Sequence, residues 1–117
     1  MLLIEYPTCT TCQKAAKWLE ANGFSFDRRH IKEEKPTAAE LALWHQKSGL
    51  PLKRFFNTSG RLYKELGIKD KLSSLSEEEQ YALLAQDGML VKRPILLAED
   101  RVLVGFREKE WEEALKK

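Results

Sequence analysis

Two cysteines, Cys9 and Cys12, stand three positions apart in Pro7-Thr8-Cys9-Thr10-Thr11-Cys12, and the chain has no others. A Cys-x-x-Cys pair where a helix begins brings two sulfurs within reach of each other in unequal surroundings. The first turn of a helix leaves backbone N–H groups unpaired, with partial positive charge. A thiolate there is stabilised, so the thiol gives up its proton more readily and attacks more often at neutral pH. The spacing predicts an outer nucleophile, Cys9, and an inner resolving thiol, Cys12, one turn further on. No acid or base lies inside the motif, so activation must come from the helix terminus and nearby cations.

The other uses of two cysteines fit less well. A zinc site would need two further ligands, and only His30 and His45 are available, at no recognised spacing. A structural disulfide closing so small a loop would stabilise little. The N-terminus lacks the basic flank and long apolar stretch of a secretory signal, so a cytoplasmic chain with reduced thiols is expected. A redox-active dithiol is the favoured reading.

The elements needed to position that pair are legible. Met1–Tyr6 reads as a short strand broken by Pro7. Thr8 or Cys9 then caps a helix to about Asn22, with Cys12, Ala15, Ala16 and Leu19 at inward spacing and Gly23 as its stop. Phe24–Ile31 reads as a second strand, which makes a βαβ unit. Capping boxes at Thr37–Glu40 and Ser76–Glu79 open two middle helices, the first reaching Gly49 and the second ending near Asp87-Gly88. Short helical turns are expected over Leu50–Phe56 and Arg61–Leu66. Ile95–Ala98 and Arg101–Gly105 form a hairpin turning at Glu99-Asp100, and Glu108–Lys116 closes the chain as a helix with Trp111, Ala114 and Leu115 inward. The expected fold is α/β: a thioredoxin-like fold, a small mixed four-stranded sheet in the order βαβ…ββα. One domain over 1–117 is expected, with a helical insertion at about 36–91.

In such a layout Pro94, in Lys92-Arg93-Pro94-Ile95, stands where a cis-proline packs against the Cys-x-x-Cys and shapes a ledge for substrate. Proline is favoured as a strand's first residue, and X–Pro is the bond for which cis costs least. A cis Arg93–Pro94 bond is expected, with Arg93 close enough to the sulfurs to hold a thiolate or an oxyanion.

Composition excludes several classes. At 117 residues with 43% apolar and 32% charged side chains, the chain can build one core without staples. The longest apolar run, Tyr81–Ala85, is far too short to span a bilayer. A net charge of +2 gives no electrostatic case for nucleic acid. No glycine-rich phosphate loop or dinucleotide fingerprint is present, so no bound cofactor is expected. Trp18, Trp44 and Trp111 are read as packing, His30 as a hydrogen-bonded surface residue and His45 as bordering the core.

Taken together, Tyr6–Ala15, Phe55–Tyr63, Leu90–Ile95 and Val104-Gly105-Phe106 resemble the ArsC/Spx family, the arsenate-reductase-like branch of the thioredoxin superfamily. The likeness covers essentially the whole chain and is closest to YusI/YffB-type members. It implies that Cys9 is the attacking cysteine and that Arg93 is one of three arginines that hold an oxyanion in the arsenate reductases. Lys53, with Arg54 adjacent, stands at the position of a second arginine. The third falls at Phe106, with Arg107 one residue on. Those reductases also usually carry a non-cysteine residue where this chain has Cys12.

The resulting expectation is a small cytoplasmic thiol–disulfide oxidoreductase, with Cys9, Cys12 and Arg93 catalytic and Pro94, Lys53 and Arg54 binding substrate. Its partner would be a small thiol or a protein disulfide, with glutathione as a co-substrate and glutaredoxin or thioredoxin as reductants. Two alternatives stand beside it. One is an Spx-type redox-sensing regulator that binds the C-terminal domain of the RNA polymerase α subunit. Against it, Spx proteins typically continue past the last helix with a basic tail, whereas this chain stops at Lys117. The other alternative is a glutaredoxin-dependent arsenate reductase.

Overall fold

The computed structural model describes residues 1–116. Four short strands, β1 (Leu2–Glu5), β2 (Asp27–His30), β3 (Ile95–Ala98) and β4 (Arg101–Val104), form one sheet in the order β2-β1-β3-β4. β1 runs parallel to β2, and β3 runs antiparallel to both β1 and β4. Helix α1 (Thr10–Ala21) joins the parallel pair, because parallel neighbours need a crossover. This is the mixed four-stranded sheet of a thioredoxin-like fold.

Alternation along the strands separates two core layers. Leu3 and Leu96, which pair across β1 and β3, face Ala15, Ala16 and Leu19 of α1 and Trp111 of α6 (Glu108–Leu115). Ile4, Ile95, Val102 and Val104 face the other way, into a larger cluster with the middle of the chain. That cluster is built on α2 (Ala38–Ser48), α3 (Arg61–Glu65), α4 (Ile68–Lys71) and α5 (Glu77–Leu84). Both expected capping boxes are present, with Thr37 Oγ1 accepting from the Glu40 N–H at 3.1 Å and Ser76 Oγ from the Glu79 N–H at 3.1 Å. Among the described residues no helix is long and apolar enough to cross a membrane.

Several boundaries differ from the sequence reading. Phe24–Phe26 is not strand: the Phe24 ring stacks on Trp18 at 6.0 Å and the Phe26 ring lies under Arg28. Those rings are used for packing, and pairing starts only at Asp27. Helix α5 stops at Leu84, because Asp87 Oδ1 accepts the Met89 N–H at 2.9 Å and starts a separate 3₁₀ turn over Gly88–Leu90. Of the residues expected inward on α6, Trp111 is fully buried and Ala114 and Leu115 only partly so.

The middle of the chain is tied to the sheet's exit at two points. Phe56 bridges Val91, and the Lys92 N–H donates to the Phe55 carbonyl at 2.7 Å. A Cβ on Gly88 would stand 1.9 Å from the Ile31 carbonyl oxygen, so only glycine lets this turn press on the end of β2.

One surface pair gives a pH signature. Arg29 donates to both Glu40 oxygens, at 2.7 and 2.9 Å. These hydrogen bonds, opposed by partial burial and helped by the Thr37 N–H, lower the Glu40 carboxyl from 4.5 to about 2. A carboxyl depressed on folding contributes stability that is complete above its unfolded value and is lost as pH falls through its folded one. Glu40→Gln, which keeps the capping box, is therefore expected to lower the melting temperature at pH 7. The deficit should be modest for a pair only partly buried and should shrink between about pH 4.5 and about pH 2. Thermal melts of both chains across that range check it; a deficit constant with pH would show the pair to be inert.

Candidate thiol site

Cys9 is the N-cap of α1, with extended backbone at φ −75° and ψ 121°. Its N–H donates to the Tyr6 carbonyl at 2.9 Å, and its own carbonyl accepts the Gln13 N–H at 3.0 Å. Gln13 Nε2 also donates to the Pro7 carbonyl at 3.0 Å, which fastens the loop to the first turn of the helix. The Cys9 side chain is half-buried, whereas Cys12, one turn on, has 0% exposure; both are free thiols.

Their acidities diverge accordingly. Burial works against the Cys9 anion, but the Cys12 N–H, the Cys12 thiol and the Arg93 guanidinium together outweigh it and hold Cys9 below its ordinary 9.0. Burial pushes the Cys12 thiol up to about 12, with the neighbouring Cys9 sulfur adding to the rise and the Tyr6 N–H and Arg93 opposing it. At neutral pH one sulfur is primed and the other is held protonated.

The Arg93–Pro94 peptide bond is cis, and Pro94 is buried. The Pro94 carbonyl accepts the Gly105 N–H at 2.8 Å, which joins the start of β3 to the turn after β4. Arg93 lies against the face of Tyr6, its Cζ 5.3 Å from the ring centroid. Its Nε and Nη1 are buried and meet no hydrogen-bond partner among the described residues.

A cleft of about 580 Å³ opens beside the motif, reaching it at Thr11 and Arg93. Lys53, Arg54, Lys92, Arg93 and Arg107 line it, with no acidic residue among the lining, and Phe56, Val104 and Phe106 supply apolar wall. Charges of one sign gathered in a cleft raise the local concentration of opposite charge. An anion carrying some apolar bulk matches this lining.

Of the residues singled out from sequence, Cys9, Cys12 and Arg93 come together at the helix N-terminus, with cis-Pro94 directly after Arg93. Lys53 and Arg54 share with Arg93 the lining of the cleft, which takes in neither cysteine. Arg107 also reaches the cleft, although Glu110 holds it at 3.5 Å. Sequence reasoning does not single out Lys92, Thr58 or Tyr6. Lys92 precedes Arg93 and Pro94 directly, but only its backbone bond to Phe55 decides which cleft it borders. His30 and His45 lie elsewhere: His30 Nδ1 accepts the Lys32 and Glu33 N–H groups at 3.2 Å each, and His45 Nδ1 is 2.6 Å from the Tyr81 hydroxyl. Among the described residues no three His, Cys, Asp or Glu side chains cluster in a way that could hold a metal.

Comparison with known proteins places the chain among relatives of one family and fold. The model of the ArsC family matches residues 4–114. The protein YusI of Bacillus subtilis is 53% identical over 108 residues, covering 92% of each chain. The global transcriptional regulator Spx of Staphylococcus haemolyticus is 30% identical over 108 residues, 92% of this chain and 81% of that one. Among solved structures, an ArsC-family-related protein of Bacteroides fragilis superposes with a TM-score of 0.93 at 54% identity, covering 96% of this chain and 94% of the other.

Proposed function

The chain belongs to the ArsC family, and from that premise we propose that it is a thiol–disulfide oxidoreductase acting on small anionic disulfides, with glutathione as co-substrate. The observation that carries the reading is the unequal pair: a primed, half-exposed Cys9 beside a buried, protonated Cys12, with Arg93 at the sulfurs. The Cys9 thiolate attacks one sulfur of the substrate disulfide, a Cys9–substrate bond forms and the other substrate sulfur leaves as a thiolate. That step removes the negative charge from Cys9, and with it one cause of the high Cys12 value. Cys12 then loses its proton and attacks the Cys9 sulfur. The second substrate thiolate leaves, and the protein holds a Cys9–Cys12 disulfide while the substrate has gained two electrons. Glutathione, glutaredoxin or thioredoxin would return the pair to dithiol.

The cationic cleft supplies the preference for charge. Reduced protein is expected to react faster with oxidised glutathione than with the neutral 2-hydroxyethyl disulfide, and slowest with the cationic cystamine. The spread should be severalfold to tenfold at low salt and narrow as salt rises. Lys53→Glu with Arg54→Glu should erase it. Stopped-flow tryptophan fluorescence measures all three rates. No consumption of any disulfide, or consumption that survives Cys9→Ser, would overturn the reading.

The relationship to Spx supports a second reading, a redox-sensing regulator that binds RNA polymerase through its α chain. Stoichiometric capture of the C-terminal domain of α by one redox state alone would favour it over the enzyme. The cleft bears on arsenate as well, but Lys53 offers a point charge rather than a planar fork and Glu110 competes for Arg107. Disulfides therefore come ahead of arsenate.

A further inference from the structure

Tyr6 meets both cysteines and Arg93. Its carbonyl accepts the Cys9 N–H, its N–H acts on the Cys12 sulfur, and its ring lies beneath the Arg93 Cζ. Only the last of these contacts depends on the side chain. It matters because Arg93 has little else to hold it: Nε and Nη1 are buried without hydrogen-bond partners, and no carboxylate pairs with it among the described residues.

Arg93 also has somewhere else to go. Besides the cationic cleft it borders a second hollow of about 290 Å³, where Glu65 and Asp87 are balanced by Lys32 and Arg61 and Glu65 is already paired with Arg61 at 2.7 Å. The cleft side presents only like charge, from Lys53, Arg54, Lys92 and Arg107. Like-charge repulsion alone would push the guanidinium away from the cleft and toward this charge-balanced hollow. A planar cation on an aromatic face is held by the ring's quadrupole without any carboxylate. The Tyr6 ring is itself fixed from its other side, edge to face with His30 at 5.6 Å and 87°. His30 is in turn pinned by the two backbone N–H groups that its Nδ1 accepts.

We propose that Tyr6 is a positioning residue for thiol–disulfide exchange, its ring being the platform that keeps the Arg93 guanidinium at the Cys9 sulfur and out of the neighbouring charge-balanced hollow. The proposal rests on the oxidoreductase reading for its purpose, but not for its geometry. Tyr6 itself touches no substrate. It acts through Arg93, and what it sets is how readily Cys9 ionises.

The test is the pH profile of Cys9 alkylation by iodoacetamide, read by mass spectrometry on the full reduced chain. Tyr6→Phe keeps the ring and is expected to keep the wild-type midpoint. Tyr6→Leu should raise it by about half a pH unit or more, the scale of a cation–π contact, and Tyr6→Met serves in the same role if the leucine chain does not fold. Arg93→Ala should raise the midpoint at least as far, and adding Tyr6→Leu to it should change nothing more. A Tyr6→Leu midpoint equal to wild type, or a shift that adds to that of Arg93→Ala, overturns the proposal, as does a Tyr6→Phe midpoint equal to that of Tyr6→Leu. Loss of thermal stability alone moves none of these midpoints. The same chains assayed with oxidised glutathione keep the two claims apart. Absent exchange in wild type with a shifted Tyr6→Leu midpoint removes the oxidoreductase reading and leaves the platform standing.

Discussion

Cys12→Ser is expected to trap a stable mixed disulfide between Cys9 and its substrate, and Cys9→Ser to form none. With its value pushed up to about 12, Cys12 is ionised in roughly one molecule in 10⁵ at pH 7. Cys9, held below 9.0, is ionised in more than roughly one in a hundred. The difference in thiolate population is thus about a thousandfold or greater. Part of it is offset, because a more basic thiolate is the better nucleophile, with a Brønsted slope of about 0.4–0.5. What remains is roughly thirtyfold in favour of Cys9, before the complete burial of Cys12 is counted. Iodoacetamide labelling of wild type should modify Cys9 first by at least that factor. Trapping by Cys9→Ser, or equal labelling of both sulfurs, would reverse the assignment of roles.

Trp111→Ala is expected to bring the fold close to unfolding at room temperature. The indole is 1% exposed and sits at the centre of the smaller core layer, edge to face with Phe106 at 4.9 Å and with Trp18 at 6.2 Å. Removing a buried aromatic of this size costs about 3–5 kcal/mol, against a total stability of about 5–15 kcal/mol for an ordinary domain. Its Nε1 also donates to the Gly105 carbonyl at 3.0 Å, inside the turn that carries Phe106 and Arg107 to the cleft. Trp111→Phe, which keeps most of the packing and loses that donor, should cost about 1–3 kcal/mol. Urea midpoints for the three chains check the order. A Trp111→Ala midpoint within error of wild type would show that the layer under α1 and α6 is not part of the cooperative core.

What can be read from sequence follows the range of the interactions involved. Cys9, Cys12 and Pro94 announce themselves because their roles depend on position at the start of a helix or strand, and local patterns mark such boundaries. Thr37–Glu40 and Ser76–Glu79 are legible for the same reason. Phe24-Ser25-Phe26 misleads because alternation fits two phenylalanines resting on neighbouring side chains as well as it fits a strand. Helix α4 leaves no mark in the pattern: it is four residues long, starts at a left-handed Gly67 without a side-chain cap, and buries only Ile68. The cleft is visible only in part, since Lys53 and Arg54 meet Lys92 and Arg93 through the bridge from Phe56 to Val91, across 35 residues of chain. Tyr6 opens a segment of family likeness, but its contact with Arg93 carries no local signal, because the two are 87 positions apart.

The cap of α1 has a cost that falls on the whole molecule. Cys9 occupies the slot where serine, threonine, aspartate or asparagine would satisfy a backbone donor, its sulfur makes no capping hydrogen bond of regular geometry, and no acidic side chain follows in the first turn. The positive end of the helix is left for the thiolate instead. On the proposed function, serine at this position would complete the cap and end the chemistry in one substitution. On that reading, selection for a sturdier fold and selection for a working sulfur pull residue 9 in opposite directions. A population of such chains screened for thermal endurance alone would drift toward inert proteins of the same shape.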